Sequence, residues 1–79
     1  MFKKLLSSFI QGAEYSESKK ALRIIFGSDS VAVFLDVPLD VYEGLINAES
    51  HGKYYHRHIK GKYTAEKGNN AWNAALHST

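Results

Sequence analysis

The sequence predicts an α+β domain, a three-stranded antiparallel β-meander with one face covered by two short helices. Three observations predict it. The apolar runs Ala21-Leu22-Arg23-Ile24-Ile25-Phe26 and Val31 to Leu35 follow an earlier short run, Ala13 to Tyr15, and small polar turns separate them. Past Pro38 the apolar spacing changes from the strand pattern to the three-and-four pattern of a helix. Finally, 79 residues hold one small domain, whose core is a single contact between layers.

Composition sets the outer limits. A chain that is 44% hydrophobic and 13% aromatic is too rich in core formers to be disordered. With no Cys, disulfide scaffolds, Cys-ligated zinc and thiol catalysis are excluded. The apolar runs fall far short of the roughly 20 residues that span a bilayer.

At the N-terminus, Phe2, Leu5, Leu6, Phe9 and Ile10 recur at helical spacing, with Lys3, Lys4, Ser7 and Ser8 off the stripe. Residues 1–7 therefore read as a leader or short helix ahead of a domain spanning 8–63. Phe9 and Ile10 go with the first strand or with a short helix packed on the sheet. So short a helix is a weak membrane anchor, and the run and cleavage site of a signal peptide are missing. The expectation is a cytoplasmic protein without a membrane partner.

The meander occupies residues 8–36. Its turns are the polar Ser16-Glu17-Ser18-Lys19 and Gly27-Ser28-Asp29-Ser30. Strand alternation puts Leu22, Ile24 and Phe26 on one face, with Arg23 and Ile25 on the other. Pro38 suits the first turn of a helix, and Asp40 there meets the positive end of the macrodipole. That helix runs from about 38 to 48, with Pro38, Val41, Tyr42, Leu45 and Ile46 inward and Asp40, Glu43, Gly44 and Asn47 outward. Ser50 caps a second helix, from about 50 to 59, although Gly52 weakens its start. Its apolar stripe is His51, Tyr54, Tyr55, His58 and Ile59; Lys53, Arg57 and Lys60 form a cationic one. Residues 64–79 read as a tail with one helical turn over 71–76, where Trp72 and Leu76 are neighbours. The expected core is Leu22, Ile24, Phe26, Phe34, Val41, Leu45, Tyr54 and Ile59.

Charge divides the chain. Residues 28–49 carry Asp29, Asp36, Asp40, Glu43 and Glu49 without a Lys or Arg. Residues 51–67 carry Lys53, Arg57, Lys60, Lys62 and Lys67 against Glu66 alone, with His51, His56 and His58. A basic stretch of this kind meets phosphate or is simply a solvated helix face.

Two chemistries find little support. On a helix, His51 and His58 stand too far apart to share an ion, and no Cys or carboxylate flanks His56 and His58, so no metal or other cofactor is expected. There is no Gly-rich phosphate loop, nucleophile elbow or nucleophile beside a recognisable base. A thin core also has little depth to exclude water from a reacting centre. The reading is a non-enzyme.

The stretch Leu22 to Tyr63 carries a longer pattern. It comprises Phe34-Leu35-Asp36-Val37-Pro38, Val41-Tyr42-Glu43, Leu45, Ala48, Ser50-His51-Gly52-Lys53-Tyr54-Tyr55, Arg57-His58-Ile59 and Tyr63. On these residues the chain resembles the KTSC domain, a family named for a segment at the C-terminus of some lysyl-tRNA synthetases. The family also occurs as small stand-alone bacterial and phage proteins. The resemblance reaches back more loosely to Ile10 and Tyr15. The family's central Tyr-x-Tyr pair falls on Ala32-Val33-Phe34, which removes one aromatic and the hydroxyl of the other. The resemblance implies RNA binding, the role suggested for the family.

RNA recognition without catalysis needs cations spaced for phosphates and aromatics that stack on splayed bases. Lys53, Tyr54, Tyr55, Arg57, Lys60 and Lys62 supply both within one stretch and form the candidate nucleic-acid site. A second reading stands beside it. An acidic patch at Asp36, Asp40 and Glu43 and the basic patch at Lys53, Arg57 and Lys60 suit self-association or docking on a host protein, as small phage proteins do.

Overall fold

The computed structural model describes residues 2–5 and 7–77. Its sheet has five strands rather than three, in the antiparallel order β1-β2-β3-β4-β5. The expected meander is its centre: β2 (Ile10–Ser16), β3 (Ala21–Phe26) and β4 (Val31–Phe34). On one edge lies β1 (Phe2–Lys4), which pairs Lys3 with Ala13 of β2. The helical spacing of Phe2, Leu5 and Phe9 is therefore not realised as a short helix. A helix there would leave unpaired the backbone groups of β2 that β1 now satisfies. Leu6, the remaining member of that stripe beside Ile10, lies outside the described residues.

On the other edge, β5 (Ala65–Lys67) pairs with β4, and α3 (Asn69–His77) follows. Residues 65–77 thus hold a strand and a helix rather than a tail with a single helical turn; residues 78–79 lie outside the described residues. The two helices expected after Pro38 are α1 (Leu39–Asn47) and α2 (His51–His58), each within a residue or so of its predicted ends.

Alternation along the strands builds two cores. Tyr15, Leu22, Ile24 and Phe34 pack on the side of α1 and α2, where Tyr42, Leu45 and Ile59 meet them. Of the expected core, Phe26, Val41 and Tyr54 are only half-buried, at its margin. Tyr15 adds a polar tie, its hydroxyl donating to the Val37 carbonyl at 2.5 Å while its ring stacks on Tyr42 at 5.3 Å. That bond holds the chain where it leaves the sheet for α1.

The opposite sheet face also carries a helix, contrary to the one-sided covering that the sequence implied. Trp72 of α3 packs on Ala21 and Val33, with the Arg23 guanidinium 5.3 Å from its ring centre. Arg23 also pairs with Glu14 and donates to Asn69 Oδ1 at 2.9 Å. A half-buried cation is tolerable here because Glu14 neutralises it and its two terminal nitrogens find acceptors, although its buried Nε has no partner among the described residues. Among the described residues, no helix is long and apolar enough to cross a membrane.

A bulge shapes the start of β2. Ile10 pairs with Phe26 but Gly12 with Ile25, so Gln11 is the extra residue. Its side chain is freed to donate to the Gly27 carbonyl at 3.3 Å and to Asp29 at 2.7 Å. Here the backbones press together. Gly27 N–H donates to the Phe9 carbonyl at 2.7 Å, and a Cβ on Gly27 would lie 2.1 Å from the Ser8 carbonyl oxygen. Because the obstacle is backbone, Gly27→Ala should cost about 1–3 kcal/mol of stability. Denaturant unfolding would show this as a lower midpoint at unchanged slope. An unchanged midpoint would mean that residues 8–9 can shift without loss.

Candidate functional site

The cationic segment is built on α2, and local bonds explain its position. Ser50 caps the helix by accepting from Lys53 N–H at 3.3 Å. His51 ties it to α1, its Nδ1–H donating to the Leu45 carbonyl at 2.7 Å. Close packing of the two helices comes from Gly44. A Cβ there would lie 2.1 Å from the Tyr54 hydroxyl oxygen, so Gly44 faces α2 rather than solvent. At the far end, buried Ile59 anchors the chain, and Ile59 and Lys60 both donate to the Tyr55 carbonyl, at 3.0 and 2.9 Å.

This frame divides the sequence-predicted site. Lys53 and Arg57 project into solvent from α2. Lys60 and Lys62 are exposed too, but past the helix end, so the stripe is helical only in its first two members. Among the described residues, none of the four is in an ion pair. Tyr54, half-buried, turns its hydroxyl over Gly44 of α1 and lies 4.5 Å from the ring of His58 one turn along α2. Burial pushes its phenol above the usual range, as do the charges of Asp40 and Tyr63. Burial also raises the Tyr55 phenol, so both hydroxyls stay neutral at neutral pH.

Tyr55 and Lys60 are brought together, in the wall of an open groove of about 480 Å³. The remaining members come from elsewhere in the chain. Phe9, 41% exposed, lies roughly parallel to the His56 ring at 5.4 Å and tilted against Phe26 and Tyr55 at 5.5 and 5.9 Å. Ser7 holds it at the rim, its hydroxyl accepting from the Phe9 and Ile10 N–H groups at 3.2 and 3.4 Å. Gly52 leaves room for the ring, since a Cβ there would come within 3.3 Å of it. The third wall is the β3–β4 turn, where the Ser28 and Ser30 hydroxyls lie 3.0 Å apart.

The sequence reading missed Phe9, Phe26, His56, Ser28 and Ser30 as site residues. No local spacing joins positions 9, 26 and 56; only the bulge and the packing of α2 do. The Gly-Ser-Asp-Ser turn was visible, but as a turn. Chemically the groove offers aromatic faces, hydroxyls that both donate and accept, and a cation. Among the described residues, no three His, Cys, Asp or Glu side chains cluster to hold a metal ion.

Comparison with known proteins yields one family and two kinds of relative. The model of the KTSC domain matches residues 6–63. A lysine–tRNA ligase of Trichormus variabilis is 43% identical over 60 residues, covering 76% of this chain and 11% of the ligase. Its counterpart in Nostoc punctiforme is 38% identical over the same length and the same shares. This chain thus spans about a tenth of the curated relatives it matches. A crystal structure of a KTSC domain protein from Yersinia pestis superposes with a TM-score of 0.82 at 26% identity, covering 86% of this chain and 96% of that one.

Proposed function

The chain belongs to the KTSC domain family, and from that premise we propose that it is a small, non-enzymatic module that binds single-stranded RNA. The observation that carries this reading is the meeting of free cations with open aromatic surface: Lys53, Arg57 and Lys60 in solvent, Tyr55 and Phe9 in the groove beside Lys60. Single-stranded nucleic acid is held by that combination, cations along the backbone and rings beneath the bases. Further support comes from relatives whose name places them with tRNA, in which a related segment forms a small part of the chain. The ligase reaction is not proposed for this chain.

A salt titration of single-stranded RNA binding tests the reading. Each cation that neutralises a phosphate of a single strand adds about 0.7 to the slope of log affinity against log salt. The triple variant Lys53→Ala, Arg57→Ala, Lys60→Ala should bind more weakly at low salt, with a slope shallower by about 2 if all three meet phosphates. All three side chains are exposed, so the variant should unfold like the wild type. Equal affinity of wild type and variant at low salt would end the RNA reading. A protein partner, to which the exposed carboxylates of Asp36, Asp40 and Glu43 would be available, would then take its place.

A further inference from the structure

We propose that the groove between residues 8–9, the β3–β4 turn and the end of α2 is a pocket for one unpaired nucleotide, its base against Phe9 and its phosphate at Lys60. This rests on the RNA reading but goes beyond the exposed cations, because most of the groove lies off the α2 stripe. Neither Lys53 nor Arg57 lines it.

Phe9 stands at the rim of the groove. Three rings surround it, Phe26, Tyr55 and His56, and still 41% of its surface stays open to solvent at the groove. The fold takes trouble to keep it there. Ser7 binds its N–H, Gly27 binds its carbonyl, Gly52 leaves space for its ring, and His56 supports it from one side. A ring backed by aromatic neighbours and open to solvent is a stacking platform, and any base can use it. The groove holds about 480 Å³ and remains open along one side, which suits a ligand continuing as a strand. Its polar groups are arranged unequally. On one wall the Ser28 and Ser30 hydroxyls can donate or accept, as the edge of a base requires. On the other, Lys60 and the His56 imidazole offer donors to an anion. No carboxylate is among the residues that line the groove; Asp29, between Ser28 and Ser30, accepts from Gln11 Nε2 at 2.7 Å, so the anion is placed on the wall of Lys60 and His56 rather than at the turn. An apolar face, an edge-reading wall and a cationic wall together match base and phosphate of one nucleotide.

Three measurements test the pocket with the full chain. The first titrates adenosine 5′-monophosphate while amide shifts are followed. Changes should concentrate at residues 8–9, 27–30 and 55–60, leaving α3 unaffected. The second compares binding of a short single-stranded RNA by wild type and by Phe9→Ala, which should weaken it roughly 5- to 150-fold without altering the salt slope. Phe9→Leu keeps apolar volume but removes the ring, and guards against loss of folding as the cause. It should unfold close to wild type and still bind RNA weakly. The third is Ser28→Ala with Ser30→Ala, which should change preference among homopolymers rather than affinity for all of them.

If RNA binds wild type and Phe9→Leu alike, and the mononucleotide shifts no groove residue, the pocket is wrong while the cation reading stands. If the mononucleotide shifts the groove but no RNA binds, the pocket holds a free nucleotide and the RNA reading fails. If neither ligand binds at low salt, both fail.

Discussion

Trp72→Ala should lower the unfolding free energy by about 3–5 kcal/mol, the range for removing a buried aromatic. Trp72 is 6% exposed and is the largest side chain between α3 and the sheet. Its removal uncovers Ala21 and Val33 and takes away the ring beside the Arg23 guanidinium. That cation, bonded to Asn69 at the start of α3, would lose its cover on one side and part of its reason to stay ordered. For a domain of this size, such a loss corresponds to a fall in melting temperature of about 12–40 °C. Thermal unfolding followed by circular dichroism reads it directly. A shift of only a degree or two would show that α3 undocks independently of the sheet, and that the second core adds nothing to cooperative folding.

Leu45→Ala is expected to cost about 2–5 kcal/mol. Leu45 is fully buried in the main core, on the helix that packs on the sheet beside α2. The spread of that range reflects how far neighbours can collapse into the cavity. Collapse is restricted here, because α2 holds α1 at two adjacent points. The Leu45 carbonyl accepts from His51, and Tyr54 rests on Gly44 one residue earlier. The upper part of the range is therefore expected. Leu45→Met, which conserves volume, should cost less than about 1.5 kcal/mol. Equilibrium denaturation of both variants separates the two outcomes. If the alanine and methionine variants fall equally, the loss comes from shape at the helix crossing rather than from an unfilled cavity.

These two sites sit on opposite sides of the question of what was legible. Leu45 could be read from spacing alone. Val41, Tyr42, Leu45 and Ile46 repeat at helical intervals after a proline, and an apolar stripe has to find cover. The same holds for Leu22, Ile24 and Phe26, which alternation assigned to one face; the sheet buries the first two there and leaves Phe26 half-buried at the margin. Ser50 announced a helix start, and its hydroxyl caps one. These properties are set by neighbours within a few residues, where periodicity carries information.

Trp72 could not be placed in this way. The strand before it, Ala65–Lys67, is three exposed residues with no alternation to detect. It exists because β4 has an edge whose backbone groups need partners, and because Leu35 N–H donates to the Thr64 carbonyl at 3.0 Å to bring the chain there. The N-terminal strand arose in the same way, against a helical spacing that pointed elsewhere, because pairing with β2 satisfies more backbone than a short helix can.

The groove obeys the same division. Lys53, Arg57 and Lys60, with Tyr55 among them, were visible as a basic-aromatic run, and their exposure follows from charge. Tyr54 looked equivalent to Tyr55 in that run, yet one is spent on Gly44 and the other lines the groove. Phe9 reached the site through a bulge at Gln11 and through backbone contact with Gly27. Spacing along the chain therefore determined α1 and α2, the central strands, one core face and the supply of cations. Which aromatics stand open beside those cations, and which lie against a helix, was decided by contacts between residues far apart in the chain. Such contacts leave no period in the sequence, because each depends on the shape that all the other elements have already taken.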